Sequence, residues 1–315
     1  WRALVKHRRA IIAPTIVLPT GKYDVRRRVN PGYGNFYTFR PSTGTNGLPA
    51  GNTGLDNFLI RRPAQISYSN AIADANGDGF RNELDLAAAF AYTRPDSLAD
   101  AFSVTGHDAR FVSGSQSLGP MLNLRLAEPS ALIDVRRLPE LRRSRVEGGR
   151  LFLGAAVTHA EIEDGAVPDT THGMLPFVAR GIAYRAVRNR GTLGGSLANN
   201  DPAACYPAAV LGLGATVHTN SRSIAADDFF KGMFETALAE GEVITAVSFP
   251  IPEKAGWQKF KQPASRFSLV GVFVSKGPKG VRVAVTGAGA CVFRAKDLEA
   301  RLAASWSAAA LAGAK

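Results

Sequence analysis

Between Arg188 and Pro207 the chain reads RNRGTLGGSLANNDPAACYP, which places Gly191, Thr192, Gly194, Gly195, Ser196, Asn199, Asn200 and Asp201 within eleven positions before apolar sequence resumes. Glycine and other small residues in succession leave backbone N–H groups open to a concave nest for phosphate oxygens, and larger side chains there would block close approach. A second stretch of this kind, VSGSQSL, follows Arg110–Val112, and about eighty residues separate Gly114 from Gly194. Each stands where an apolar segment hands over to a helix or loop. Taken singly, either reads as a plain tight turn; taken together, two nests suit a pyrophosphate. Neither matches G-x-G-x-x-G or the phosphate loop of nucleotide hydrolases, so Rossmann and P-loop readings are poor.

A chain of 315 residues, 45% apolar, has enough material for a sizeable core and for two or more domains. Its formal charge of +12 is uneven: residues 1–50 carry nine Lys/Arg against Asp24, leaving about +4 for the other 265 residues. No nucleic-acid motif accompanies that charge, so it reads as a solvated basic segment. Cys205 and Cys291 are far apart and lack C-x-x-C spacing, which argues against a disulfide framework and a zinc site. An iron–sulfur cluster takes four thiolates, so this chain holds none alone. The longest early apolar run, AIIAPTIVLP, is too short to span a bilayer and contains Pro14, and it reads as a strand.

Residues 1–88 are rich in Gly, Pro, Asn and Arg, with turn signals at PTGKYD and NPGYGN, and read as a basic extension of short β elements or loose surface chain. Near its end, Asp74, Asn76, Asp78, Asn82 and Asp85 fall at positions 1, 3, 5, 9 and 12 of a calcium-type loop, with Gly79 at position 6. The segment resembles one dockerin repeat, although Asp stands where the bidentate Glu is usual; an acidic turn is the competing reading. From Phe90 the texture becomes regular. Phe90–Tyr92 predicts a strand, 95–102 a helix, RFVSGSQSLGPMLNLRL a strand, turn and helix, and ALIDV and RLFLGAAVT further strands. Helices are expected around His159–Glu163 and Leu175–Ala183.

Five segments in order, FVSGSQSLGPMLNLRLAEPSALIDVRRLPEL, LFLGAAVTHAEIE, VRNRGTLGGSLANNDPAACYPAAVLGLGATV, EVITAVSFP and KFKQPASRFSLVGVFVSK, closely resemble the FAD-binding medium subunit of molybdenum hydroxylases, over about residues 90–311. The resemblance implies an α+β chain with the FAD-binding fold of vanillyl-alcohol oxidase and p-cresol methylhydroxylase. Two α+β subdomains are expected over residues 89–252, and a truncated carboxy-terminal α+β domain over 253–315.

By the same resemblance, Val112, Ser113, Gly114, Ser115, Gln116, Ser117 and Leu118 wrap the pyrophosphate and adenosine side of FAD, with Ser115 where a second glycine is common. Thr192, Gly194, Gly195 and Ser196 face the ribityl and pyrophosphate, Ile182 and Ala183 sit at flavin-contacting positions, and Asp201 anchors the loop or reaches the cofactor. Cys205 stands where a carboxylate is frequent. Ile244 matches an apolar residue against the isoalloxazine face, and Lys261 a lysine near its pyrimidine end. The implied role is electron transfer from the 2Fe-2S clusters of a partner through FAD to an external acceptor. That expectation brings an iron–sulfur small subunit and a molybdenum-cofactor large subunit, as a dimerised heterotrimer in the bacterial cytoplasm. Two alternatives remain open: a non-catalytic binding protein with a degenerate flavin fold and a calcium-binding amino-terminal segment, and a self-sufficient flavin oxidase.

Overall fold

The computed structural model describes residues 15–18, 21–30, 34–41, 91–104 and 108–314. Contacts divide the chain into two units, Trp1–Ala91 and Tyr92–Lys315. In the first, β1 (Thr15–Leu18), β2 (Gly21–Asn30) and β3 (Gly34–Pro41) form an antiparallel meander whose strand ends fall at the predicted turn signals. The candidate calcium ligands Asp74, Asn76, Asp78, Asn82 and Asp85 lie outside the described residues.

The second unit opens with a three-stranded sheet in the order β4-β6-β5, made by β4 (Ala91–Thr93), β5 (Ala109–Val112) and β6 (Ala131–Asp134). β5 and β6 run parallel, so both end at the same edge. Ser97 caps α1 (Leu98–Ser103), and α2 (Leu118–Asn123) follows the first small-residue turn. Ala101, Ile133, Val135, Leu138, Leu141 and Ala156 form a small core here.

A five-stranded antiparallel sheet comes next. β7 (Arg145–Glu147) and β8 (Arg150–Gly154) start it, and β9 (Thr216–Thr219) and β10 (Ser223–Ala225) extend its far side. After the hairpin β11 (Phe230–Gly232) and β12 (Glu235–Thr236), β13 (Ile244–Pro250) enters the centre and gives the order β10-β9-β13-β8-β7. Between β8 and β9 run α3 (His159–Glu163), α4 (Met174–Arg180), α5 (Arg185–Arg188), α6 (Leu193–Asn199) and α7 (Tyr206–Leu213); α8 (Ala226–Phe229) follows β10. Thr158 starts α3 through a reciprocal capping box with Glu161. The strand and helix expectations over 90–163 are met, whereas the helix expected over 175–183 stops at Arg180 and the stretch read as an open glycine turn becomes helix from Leu193.

The chain closes with the antiparallel meander β14 (Lys254–Lys261), β15 (Ser268–Gly277), β16 (Gly280–Thr286) and β17 (Phe293–Arg294), then α9 (Lys296–Ala304). Every residue of α7 is buried, which requires apolar cover on all sides. The larger core accordingly runs from Leu151, Leu153 and Phe249 of the five-stranded sheet through α7 to Trp257, Phe273 and Ala284 of the last one. Arg282 ties this joint from beneath: its Nε donates to Leu211 O at the end of α7 (2.9 Å) and its Nη2 to both Asp227 oxygens (2.9 and 2.8 Å).

Gly212 of α7 meets Phe273 so closely that a Cβ there would lie 2.6 Å from the ring. Gly212→Ala is therefore expected to destabilise the protein by about 2 kcal/mol through overpacking. Combining it with Phe273→Leu should cost less than the sum of the two single changes, measured as urea midpoints, because the pair shares one space.

Candidate functional site: two turns closed on one another

The first turn leaves the carboxy-terminal edge of the parallel pair, where Val135 N donates to Val112 O (2.9 Å). A Cβ on Gly114 would lie 2.3 Å from Arg190 O and 2.8 Å from Gly191 Cα, so only glycine lets the two turns touch. Ser115 sits at φ +57, in the left-handed region, which explains why glycine suits that position. Gln116 folds back, its Nε2 donating to Gly114 O (3.1 Å). The N–H groups of Gly114, Ser115, Gln116, Ser117 and Leu118 have no acceptor among the described residues. Ser113 Oγ is buried without a partner there either. Buried polar atoms are rarely left unpaired, so Ser113 Oγ stands out beside the unused N–H groups of this donor-rich loop.

The second turn differs from the expected nest. Leu193 N donates to Val157 O (2.9 Å), Gly194 N to Ala155 O (2.8 Å), and Gly195 N to Oγ1 of the capping Thr192 (3.2 Å). Its donors are spent because the turn is the start of α6, docked on the β8–α3 connection, where His159 N also donates to Gly191 O (2.9 Å). Gly194 is glycine for an internal reason: its Cβ would lie 2.6 Å from Ala155 Cβ. Gly195 is exposed, and a Cβ on it would meet only Thr192 Oγ1, at 2.9 Å, so this residue offers bare backbone outward. Ser196 is half-buried. Asn200, at φ +43, anchors the β11–β12 hairpin, its Nδ2 donating to Gly232 O (2.8 Å) and Glu235 O (2.7 Å). Asp201 Oδ1 accepts from Ala203 N (2.8 Å) and shapes the next turn.

A third group of candidates gathers around the segment 181–183. Ile182 is half-buried against the larger core, and Ala183 holds φ +40. Cys205 is buried at the start of α7, its Sγ 3.5 Å from Ser268 Oγ and accepting from Lys259 Nζ (3.2 Å). Lys259 also donates to Gly181 O (2.9 Å), whereas Lys261 is exposed at the end of β14. The inward lysine is thus Lys259. Strand alternation from the buried Trp257 points to it, and Lys261, beyond the register shift between Phe260 and Lys261, is exposed. Ile244, 4% exposed, is core and lends a ligand almost no surface.

Beside the turns, a cleft of about 570 Å³ is lined by Arg136, Arg137, Arg142 and Arg190, with Glu161 the single acid. Glu161 is already engaged by Thr158 and Arg142, which, after burial opposes them, hold its carboxyl below the usual range. The field there is strongly positive. Behind the second turn, burial foremost and the Arg188 charge next push the His159 imidazole down to about 4.

Comparison with known proteins identifies the family and the fold. The family described as the FAD binding domain in molybdopterin dehydrogenase matches residues 88–252. The nicotine 6-hydroxylase medium subunit of Paenarthrobacter nicotinovorans is 37% identical over 223 residues, 67% of this chain and 79% of that protein. The carbon monoxide dehydrogenase medium chain of Hydrogenophaga pseudoflava is 32% identical over 230 residues, covering 68% and 79%. Among solved structures, quinoline 2-oxidoreductase from Pseudomonas putida 86 superposes with a TM-score of 0.63 at 36% identity, covering 68% of this chain and 79% of that one. The fold is that of an α+β FAD-binding domain. The chain belongs to the FAD-binding medium subunits of molybdenum hydroxylases, flavin-dependent oxidoreductase subunits that transfer electrons.

Two tests follow from the geometry. Ser115→Gly is expected to stabilise the protein by about 0.5 kcal/mol in thermal melts, the relief of left-handed strain exceeding the added unfolded-state entropy. His159 bears on acid stability: its folded pKa lies below the ordinary 6.5, so its contribution is complete above pH 6.5 and is lost as pH falls toward 4. That loss amounts to about 3 kcal/mol, and urea midpoints for His159→Leu should show a correspondingly shallower fall over this range.

Proposed function

We propose that the Gly114–Leu118 loop binds the FAD diphosphate through its free N–H groups and Ser113 Oγ, with the bare backbone of Gly195 as the facing wall. The single observation that carries this reading is the closure of that donor-rich loop on the second turn through Gly114 and Arg190, beside a cleft of arginines. Five neutral donors and a positive field match an acceptor-rich diphosphate. The residues present fit the group: Ser113 Oγ is a buried hydroxyl without a partner among the described residues, and Gly195 exposes bare backbone. Val112 supports the loop from β5, and Thr192 and Ser196 frame the second turn.

In this reading the segment 182–183 borders the flavin ring, Lys259 orders it from within through Gly181, and Lys261 reaches the ring's pyrimidine end from outside. Bound FAD supplies the ability to accept electrons in pairs or singly and to release them to an external acceptor. The chain's share is to bind and orient that group and to set its electrostatic surroundings. In this reading the electrons come from the 2Fe-2S clusters of a small partner subunit; Cys205 and Cys291 fall short of the four thiolates such clusters usually take. A large subunit with the molybdenum cofactor completes a heterotrimer. No helix among the described residues is long and apolar enough to cross a membrane.

The two glycines give the test. Gly195→Val should yield a folded protein lacking the flavin absorbance band. Disturbance of the Thr192 cap costs it about 1 kcal/mol. Gly194→Val should instead lose stability, with or without added FAD, because it strikes Ala155. A Gly195→Val protein that holds FAD as tightly as the parent overturns the site.

A further inference from the structure

Glu163 and Arg188 form an ion pair with side chains only 12% and 10% exposed, Nε to Oε2 2.7 Å. Burial of two charges costs several kcal/mol, by order of magnitude, and apolar residues of similar size often stabilise as well, so fold stability alone does not account for the pair. What Arg188 does with its remaining donors is specific. Its Nη1 donates to Ile182 O (2.9 Å) and Ala183 O (3.2 Å), while Lys259 takes Gly181 O (2.9 Å). Three successive carbonyls are thereby held by two cations.

The peptide bonds of the described residues are trans, so each N–H points opposite to the carbonyl of the residue before it. With the carbonyls of Ile182 and Ala183 drawn onto Arg188, the N–H groups of Ala183 and Tyr184 are turned away from it. Neither has an acceptor among the described residues, whereas Ile182 N is used by Ala179 O (2.9 Å). The left-handed Ala183 between them, φ +40, brings successive N–H groups to one side, as in a backbone nest. An Ala at such φ persists only where its surroundings enforce it, and the Arg188 fork is that enforcement. Glu163 is the carboxylate that balances Arg188, and its Oε2 also accepts from Arg185 Nη1 (3.0 Å).

We infer that Glu163 and Arg188 are positioning residues that hold Ala183 and Tyr184 as a two-donor cradle for an electron-rich acceptor atom of the flavin ring. The inference rests on the FAD reading above. Donors aimed at that atom stabilise the negative charge gained on reduction and so raise the flavin potential. The experiment uses the full chain, saturated with FAD, and reads the midpoint potential by dye-coupled titration, the flavin absorption spectrum and the FAD dissociation constant. Arg188→Lys keeps the charge but cannot fork to two carbonyls and Glu163 at once; Glu163→Gln keeps an acceptor for Arg188 without the charge.

Arg188→Lys is expected to lower the potential, and both variants are expected to move the potential away from the parent's and to shift the spectrum. Arg188→Lys should also weaken FAD by about tenfold, as outer-layer ligand supports commonly do. Parent-like potentials and spectra in both variants overturn the inference, whatever the melting temperatures do. If Arg188→Lys does not fold, Glu163→Gln alone decides it. If the parent binds no FAD, the reading beneath falls as well; if the parent binds FAD and Gly195→Val loses it while these variants match the parent, only this inference falls.

Discussion

The contact between Gly114 and the Arg190 carbonyl sets the geometry on which the site depends. Gly114 hangs from the parallel β5–β6 pair and its small core; Arg190 leads into α6, which is fastened to the β8–α3 connection and the larger core. A single methyl at residue 114 would have to occupy a carbonyl's place 2.3 Å away, so the two layers are in register only while that side chain is absent. The first loop is therefore supported by packing, against the strain of the left-handed Ser115, rather than by its own N–H groups.

This contact also separates two kinds of glycine that look the same in sequence. Gly114 and Gly194 are demanded by backbone and by Ala155, inside the protein; Gly195 is not demanded by anything inside beyond the oxygen of its own cap. A run of small residues says that something approaches closely, but not whether that something is a ligand or the chain's own next layer. The strands and helices between Ala91 and Glu163 were legible because apolar alternation, cap residues and turn signals are local. The fate of the second turn's donors was not, because the acceptors Ala155 and Val157 lie more than thirty residues upstream.

The lysines show a similar limit. Alternation from Trp257 puts residues 255, 257 and 259 on one face, and a reader of KAGWQKFK could have chosen Lys259 on that ground. Lys261 lies past a register shift that depends on how β15 pairs with β14, and no residue in β14 announces it. Arg188 and Glu163 were likewise invisible as a pair: twenty-five residues apart, on two short helices, each reads as an ordinary surface charge until the fold buries both.

The placement of charge suggests why two different devices serve one bound group on the FAD reading. A diphosphate carries its negative charge permanently, and a cleft of arginines whose sole acid is already engaged answers it with a lasting positive field. The flavin ring gains charge only while it holds extra electrons. A bare guanidinium beside it would bias that ring strongly at all times, whereas Arg188 and Lys259 spend their charge on backbone carbonyls and Glu163 and leave neutral N–H groups to face outward. Fixed dipoles stabilise a charge as it develops without reorganising when it leaves, which suits a centre that must both accept electrons and release them.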